Sequence, residues 1–275
     1  MTSLAVALAS DSRGPSGLYL ITDSRITWGT SSNRWDAGQK TFVSPNSPDI
    51  FGYCSDAYFI PMIMGQILNS SFSETLGLSE RSASGRHTLF LDLVKSSIEK
   101  VATSTISNLV FFHGAREDEF MDSTFHLWKS TYIVKEKTWK DSKIILDRKS
   151  YLVTLDGSGQ QNIEEFQKQT QNTAERSTSR AAIQAFCGSL EHGGDSFSGG
   201  APQLVGLWRI GKARQFGFWW NNKRYINGIE FPDSADHTKV SWFNKLFERC
   251  NGLDGNILPG AQPHQPAVSI FQTES

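Results

Sequence analysis

The sequence predicts an α+β protein built from two antiparallel sheets with helices on their outer faces. Three observations predict it. Strand-like and helix-like segments come in blocks, in the order strands, two helices, strands, two helices, strands and a final helix, without the β-α alternation of a doubly wound parallel sheet. The strand-like runs are short and bounded by Gly, Pro and charged turns. With 275 residues, 38% of them apolar, the chain can bury a sizeable core. Neither an internal repeat nor a linker divides it, so one domain over residues 2–250 is expected, followed by an irregular tail over 251–275.

Residues 4–8 and 17–22 read as a strand pair separated by a long turn over 10–16, where Gly14 and Pro15 break the pattern. Shorter extended pieces follow at 40–43 and 50–54. From Asp56 onward Tyr58, Phe59, Ile63, Ile67 and Leu68 recur at helical spacing, with Pro61 in the first turns. Residues 69–87 form a serine-rich connector, and helical spacing resumes over 88–104 through Leu89, Leu93, Ile98 and Val101. A second β block covers 109–113, 120–128, 131–134, 144–146 and 151–155, and its lysines read as solvated edge or turn residues. A second helix pair is predicted over 160–171 and 179–190, joined by the polar stretch 172–178. Strands return at 203–210, 215–220 and 225–230, and Trp242, Phe243, Leu246 and Phe247 suggest a short terminal helix. Pro259, Pro263 and Pro266 mark the tail as irregular.

Composition excludes several classes of function. A net charge of −1 gives no field that would favour nucleic acid or an anionic membrane. Cys54, Cys187 and Cys250 are widely spaced, odd in number and without C-x-x-C spacing, which predicts reduced thiols in a cytoplasmic setting and no disulfide framework. No basic region precedes an apolar stretch at the N-terminus, and no run approaches the ~20 apolar residues of a membrane span. The six histidines lack metal-ligand spacing, so neither a metal nor another cofactor is expected. Gly157-Ser158-Gly159 lacks the longer dinucleotide fingerprint and a Walker lysine, which argues against a nucleotide site. The eight tryptophans are read as core or subunit-interface residues, making self-association credible.

Behind Met1 the chain reads Thr2-Ser3-Leu4-Ala5-Val6. Removal of Met1 would leave one residue holding both a hydroxyl nucleophile and a base, because an α-amine titrates at roughly 7.7–8.0. A small residue at position two is common, so by itself this says little. Asp23, ending the second strand in Thr22-Asp23-Ser24-Arg25, and Lys40, in Gln39-Lys40-Thr41-Phe42, have a use beside such a nucleophile. The ammonium lowers the cost of deprotonating the hydroxyl, and the carboxylate holds the lysine in place. Gly52 falls at a predicted strand-to-helix junction, where its N–H could serve as an oxyanion donor; the alternative is a glycine used for tight packing. Gly157-Ser158-Gly159 and Asp195-Ser196-Phe197-Ser198-Gly199-Gly200 are each ordinary turns when taken singly.

Taken in order, Thr2, Asp23-x-Arg25, Lys40, Gly52-x-x-x-Asp56, Gly157-Ser158-Gly159 and Asp195-x-x-Ser198-Gly199-Gly200 resemble the proteasome β-subunit and HslV family of N-terminal-nucleophile (Ntn) hydrolases, over about residues 2–210. The resemblance implies a four-layer αββα sandwich, with Thr2 as nucleophile, Asp23 and Lys40 as the pair that tunes it, and Gly52 as oxyanion donor. It places Ser158, Asp195 and Ser198 around the terminal amine and its relay water, and it makes Ile50 and Cys54 walls of the primary specificity pocket, with an apolar P1 side chain. Departures from the family pattern are a longer first hairpin, a Lys40 nearer to Gly52, an extra segment around 114–150 and added chain beyond Glu230.

The resemblance therefore implies a threonine peptidase acting on peptide or unfolded protein, soluble, cytoplasmic and homo-oligomeric. Ordinary aminopeptidase removal of Met1 would mature it. The chain carries no ATPase motif, so an unfolding motor or regulator would be a separate protein. Two other readings stay open: an Ntn amidohydrolase acting on small amides, and a noncatalytic assembly or regulatory subunit that keeps the fold.

Overall fold

The computed structural model describes residues 2–102, 106–170 and 176–262. Met1, positions 103–104 of one predicted helix with position 105 after it, position 171 of another, connector residues 172–175 and tail residues 263–275 lie outside the described residues. The chain is a mixed α/β protein with two large β-sheets, one small one and five α-helices among the described residues.

The first sheet is built on a hairpin of β1 (Ser3–Asp11) and β2 (Gly14–Thr22). On one side β1 pairs antiparallel with β10 (Tyr151–Gly157); on the other, β2 pairs antiparallel with β11 (Gln203–Trp208). The sheet continues through β12 (Arg214–Trp220), β13 (Lys223–Ile226) and β14 (Ile229–Glu230). β15 (Trp242–Asn244) joins β12 in parallel and is followed by β16 (Arg249–Cys250). The second sheet runs β5 (Thr41–Val43), β6 (Asp49–Ser55), β7 (Leu109–Glu117), β8 (Thr124–Ile133), β9 (Thr138–Ile144), all antiparallel. A separate hairpin pairs β3 (Ile26–Trp28) with β4 (Thr30–Trp35).

Strand alternation divides most of the apolar residues among three main cores, beside a small cluster of Ala83, Ala115 and Trp128. Leu4, Val6 and Leu8 of β1 and Leu18 and Leu20 of β2 meet Ile50, Cys54 and Phe112 of the second sheet. Their neighbours Ala5, Tyr19 and Ile21 instead meet Ile183 and Phe186. Those two residues belong to α5 (Ser179–His192), which lies beside α4 (Gln160–Thr170). On β6, Phe51 and Tyr53 point away from the first sheet, into a core with Phe59, Met64 and Phe90. These come from α1 (Phe59–Ile67) and α3 (Ala83–Ile98), with the short α2 (Ser70–Thr75) between them.

The helices start where the sequence supplies acceptors. Asp56 takes the N–H groups of Tyr58 (2.9 Å) and Phe59 (2.7 Å) at the head of α1. Pro61 sits three residues in, where its missing N–H would have had no helical partner. Ser82 caps α3 through Gly85 N–H, and Thr178 caps α5 through Ala181 N–H.

Several expectations are corrected. The long turn over 10–16 shortens to two residues, because β1 and β2 stay paired to Asp11 and Gly14 across an irregularity at Ala9/Ser10. Asp11 holds this tip by accepting Arg13 N–H at 2.8 Å and the Arg209 guanidinium at 2.6 and 2.9 Å. The terminal helix around Trp242 is a strand: Trp242 lies over Gly217, where a Cβ would come within 2.3 Å of its ring, and Phe243 joins the core with Phe216 and Phe218. Apolar neighbours buried on both faces mimic helical spacing in so short a run. The hairpin over 26–35 has no counterpart in the sequence reading, since its second strand is polar and almost wholly exposed. The pieces 120–128 and 131–134 resolve into the continuous β8, with a tight turn at Phe120–Asp122 before it. Lys129 of β8, expected to be solvated, is only about a third exposed and pairs with Asp156 at 2.5 Å. Residues 251–262 fold back on the first sheet, with Gly252 against Trp242 and Gly255 against Trp219.

A buried polar chain ties α3 to the second sheet. His87 faces Asp141 through Nε2 (3.2 Å) and His113 through Nδ1 (3.0 Å); His113 Nε2 faces Asp49 (2.9 Å), which also accepts Arg86 (2.8 Å). Trp128 stacks on His87 and Phe51 on His113, both at 4.4 Å. Burial, followed by the neighbouring His113, lowers the His87 pKa to about 4, against the opposing pull of Asp141. The unfolded chain therefore takes up a proton near pH 6.5 that the folded chain refuses until about pH 4. Stability falls as pH drops through that window. We expect His87→Gln to remove this component, at most about 3 kcal/mol, measurable as a flatter dependence of Tm on pH between 6.5 and 4 than in the wild type.

Candidate active site

The site is organised by a carboxylate. Asp23 follows β2, is fully buried, and accepts four hydrogen bonds. Oδ1 takes Ser3 N–H at 3.0 Å and Lys40 Nζ at 2.8 Å, and Oδ2 takes Arg25 N–H at 3.0 Å and Gly199 N–H at 2.9 Å. Lys40 precedes β5 and is 1% exposed; its ammonium also donates to the Arg25 carbonyl. Burial pushes the Lys40 pKa down, and the adjacent Asp23 opposes that shift. Gln203, the first residue of β11, fixes the lysine backbone: its Oε1 accepts Lys40 N–H at 2.9 Å while its Nε2 donates to the Gly38 carbonyl at 2.7 Å and to Ser24 Oγ at 2.9 Å.

A second carboxylate lies in the loop between α5 and β11. Asp195 Oδ2 accepts Ser158 Oγ at 2.7 Å and Ser198 Oγ at 2.6 Å, and its Oδ1 accepts Phe197 N–H at 3.0 Å. Ser198 Oγ in turn bonds Ser3 Oγ at 2.7 Å. Ser3 thus touches both networks, and Thr2, 2% exposed, is the residue before it. The approach of these segments requires glycine. Gly157 has φ +92°, and a Cβ there would fall 1.7 Å from the Thr2 carbonyl oxygen; a Cβ on Gly159 would fall 1.9 Å from Ser3 Oγ.

Outside this centre Arg25 forms a two-toothed pair with Asp36 (2.7 and 2.9 Å) and donates to the Ser196 and Ser198 carbonyls at 3.1 Å. Each partner strengthens the charge of the other: Asp36 raises the Arg25 pKa, and Arg25 lowers that of Asp36. A cavity of about 600 Å³ opens on this side, lined by Arg25, Asp36, Asp195, Ser198, Trp220 and Tyr225 among others, but not by Thr2, Lys40 or Cys54.

The sequence-predicted residues thus fall into groups. Asp23 meets Lys40; Ser158, Asp195 and Ser198 meet each other; Thr2 lies beside both through Ser3. Gly52 is placed differently from the expected strand-to-helix junction. It lies inside β6, paired with Thr41 on one side and Phe112 on the other. Tyr53 N–H goes to the Lys40 carbonyl, so strand alternation turns Gly52 N–H toward β7 rather than a cleft. A Cβ at Gly52 would sit 2.2 Å from Leu20, so its small size serves packing between the sheets. The strand ends three residues later, where Ser55 takes φ +88° ahead of the Asp56 cap.

Ile50 and Cys54 lie on the face of β6 toward the first sheet, each 1% exposed. Burial, reinforced by Asp156, pushes the Cys54 thiol pKa well up. Sequence patterns alone do not single out Ser3, Gln203 and Asp156. Ser3 carries one available signal, its place next to Thr2; Gln203 carries none. Among the described residues no cluster of His, Cys, Asp or Glu could hold a metal, and no helix is long and apolar enough to cross a membrane.

No protein-family model matches the sequence. No curated protein matches it. Among solved structures the chain is similar to the crystal structure of eukaryotic HslV from Trypanosoma brucei, with a TM-score of 0.47 and 10% sequence identity over 74% of this chain and 99% of that one.

The Asp23 arrangement makes a stability prediction. Asp23→Ala leaves the Lys40 ammonium buried without its counter-charge and three backbone N–H groups without an acceptor, so a loss of about 3–5 kcal/mol is expected in urea unfolding. Gly157→Ala, with its strained φ and its collision with the Thr2 carbonyl, should cost more than about 1 kcal/mol by the same measurement.

Proposed function

We propose that this chain is a threonine peptidase of the proteasome β-subunit and HslV kind, with a four-layer αββα architecture. The three separate cores, helix against sheet, sheet against sheet and sheet against helix, support that layering. One observation carries the activity: the Asp23–Lys40 pair and the Ser158–Asp195–Ser198 cluster converge on Ser3, and so flank the residue that would be the amino end once Met1 is removed.

In this mechanism Thr2 Oγ1 attacks the substrate carbonyl while the Thr2 α-amine takes the hydroxyl proton. Lys40, held by Asp23 and by the Arg25 carbonyl, supplies positive charge that favours the alkoxide. The tetrahedral oxyanion needs a backbone donor, and we assign it to the turn at Ser55 and Asp56, where the chain leaves the β6 ladder, in place of Gly52. Collapse breaks the C–N bond, and the protonated amine gives its proton to the departing nitrogen. Water, deprotonated by the same amine, then attacks the acyl ester, and the proton returns to Thr2 Oγ1 as it leaves. Ser158, Asp195 and Ser198 orient the amine for each of these transfers.

Ile50 and Cys54, each 1% exposed within the inter-sheet core, are assigned no pocket role in this reading. The exposed Trp28 and Trp35 of the β3–β4 hairpin give self-association an apolar surface. A second reading has its own observation: Ile50 and Cys54 are packed inside the inter-sheet core instead of lining a groove for a peptide side chain, which suits a small amide better than an extended polypeptide. Parallel assays with fluorogenic peptides and with short acyl amides separate the two.

Intact mass should show loss of the Met1 residue mass, and a peptide epoxyketone should form an adduct at Thr2. Thr2→Ala should lower hydrolysis by at least about a thousandfold while leaving the circular dichroism spectrum unchanged. Full activity in a folded Thr2→Ala protein would refute the mechanism.

A further inference from the structure

Ser3 lies at the junction of the two networks and is 1% exposed. Its backbone is locked on one side: Ser3 N–H donates to Asp23 Oδ1 at 3.0 Å, the same oxygen that receives Lys40, and the Ser3 carbonyl accepts Asp23 N–H at 3.3 Å. Its side chain is locked on the other, with Oγ 2.7 Å from Ser198 Oγ.

Counting hydrogens gives this contact a direction. A serine hydroxyl has one proton to donate and two lone pairs. Ser158 and Ser198 each spend theirs on Asp195 Oδ2, an acceptor-only carboxylate, at 2.7 and 2.6 Å. Ser198 can then only accept from Ser3, so Ser3 donates. The result is a one-way line of donors, Ser3 to Ser198 to Asp195, which leaves the lone pairs of Ser3 Oγ for a donor at the amino end of the chain. Gly159 keeps the line open, since a Cβ there would sit 1.9 Å from Ser3 Oγ and 3.1 Å from Ser198 Oγ.

We infer that Ser3 is a positioning residue of the active site: its backbone ties Thr2 to the Asp23–Lys40 pair, and its hydroxyl couples the Thr2 amine to Asp195 through Ser198. This role rests on Thr2 being the nucleophile. In this role Asp195 acts on the amino end through the hydroxyls of Ser198 and Ser3, so the ammonium that forms during acylation is stabilised by a line that breaks if either hydroxyl is lost. Removing the Ser3 hydroxyl also leaves a buried lone pair of Ser198 unfilled.

The test uses the full chain and a peptide epoxyketone as probe, with labelling at Thr2 followed by mass as a function of pH. In Ser3→Ala we expect labelling to slow about a hundredfold and the acid limb of its pH profile to move to lower pH, with KM for a fluorogenic peptide little changed. Ser3→Thr keeps a hydroxyl and should restore both rate and profile to near wild type. Gly159→Ala, which displaces the hydroxyl from the other side, should reproduce the Ser3→Ala phenotype. If the wild type is labelled and Ser3→Ala is labelled equally fast with the same pH profile, Ser3 has no positioning role. A Ser3→Thr protein as slow as Ser3→Ala would also overturn that role, since disturbed packing, by a lost or an added atom, would then explain both. Absence of any adduct on the wild type would instead refute Thr2 as nucleophile and overturn the role of Ser3 with it.

Discussion

A fully buried carboxylate holds the centre of this molecule. Asp23 brings four segments to one point: the start of β1 through Ser3, its own strand end through Arg25, the lysine before β5, and the glycine loop before β11. A buried charge of this kind persists only when it is paired and its remaining lone pairs are filled. Both conditions are met here by one ammonium and three backbone N–H groups. Those donors come from the first strand of the first sheet and from three connections, so the same group that organises the site also ties the loops around it to that sheet.

The lysine shows how the arrangement is maintained. Desolvation drives Lys40 toward its neutral form, and Asp23 opposes it, so the charge state of the lysine is set by a balance within a buried site. Gln203 closes the other side by gripping the Lys40 backbone, Gly38 and Ser24 at once. The outer pair of Arg25 with Asp36 then fastens the β3–β4 hairpin, which lies between Asp23 and Lys40 in the chain, to the loop at Ser196 and Ser198. Shape and charge are coupled: the hairpin cannot move far without disturbing a contact one bond removed from the buried carboxylate.

Much of this is legible in the unfolded chain. Block order predicts antiparallel sheets with paired helices, and short apolar runs bounded by turn residues mark β1, β2 and β6, which are buried on both faces. Where apolar residues instead fall at helix-like spacing, as Trp242, Phe243, Leu246 and Phe247 do, a short strand reads as helix. The β3–β4 hairpin escapes for the opposite reason: its second strand has no buried face. Gly52 illustrates a different failure. A glycine near a strand end signals that a side chain would not fit, but it does not say whether the space is needed by a substrate, by a turn or by Leu20 of the facing sheet.

Sequence alone determined which residues were available for the site, because Asp23, Lys40, Ser158, Asp195 and Ser198 stand at element boundaries, where side chains leave the regular ladder. The tertiary structure decided which of them meet. Ser3 bonds Ser198, 195 positions away in the chain, and Gln203 grips a lysine 163 positions away. No local pattern encodes such contacts, since hydrogen bonding at 3 Å is decided by how two sheets and a loop pack.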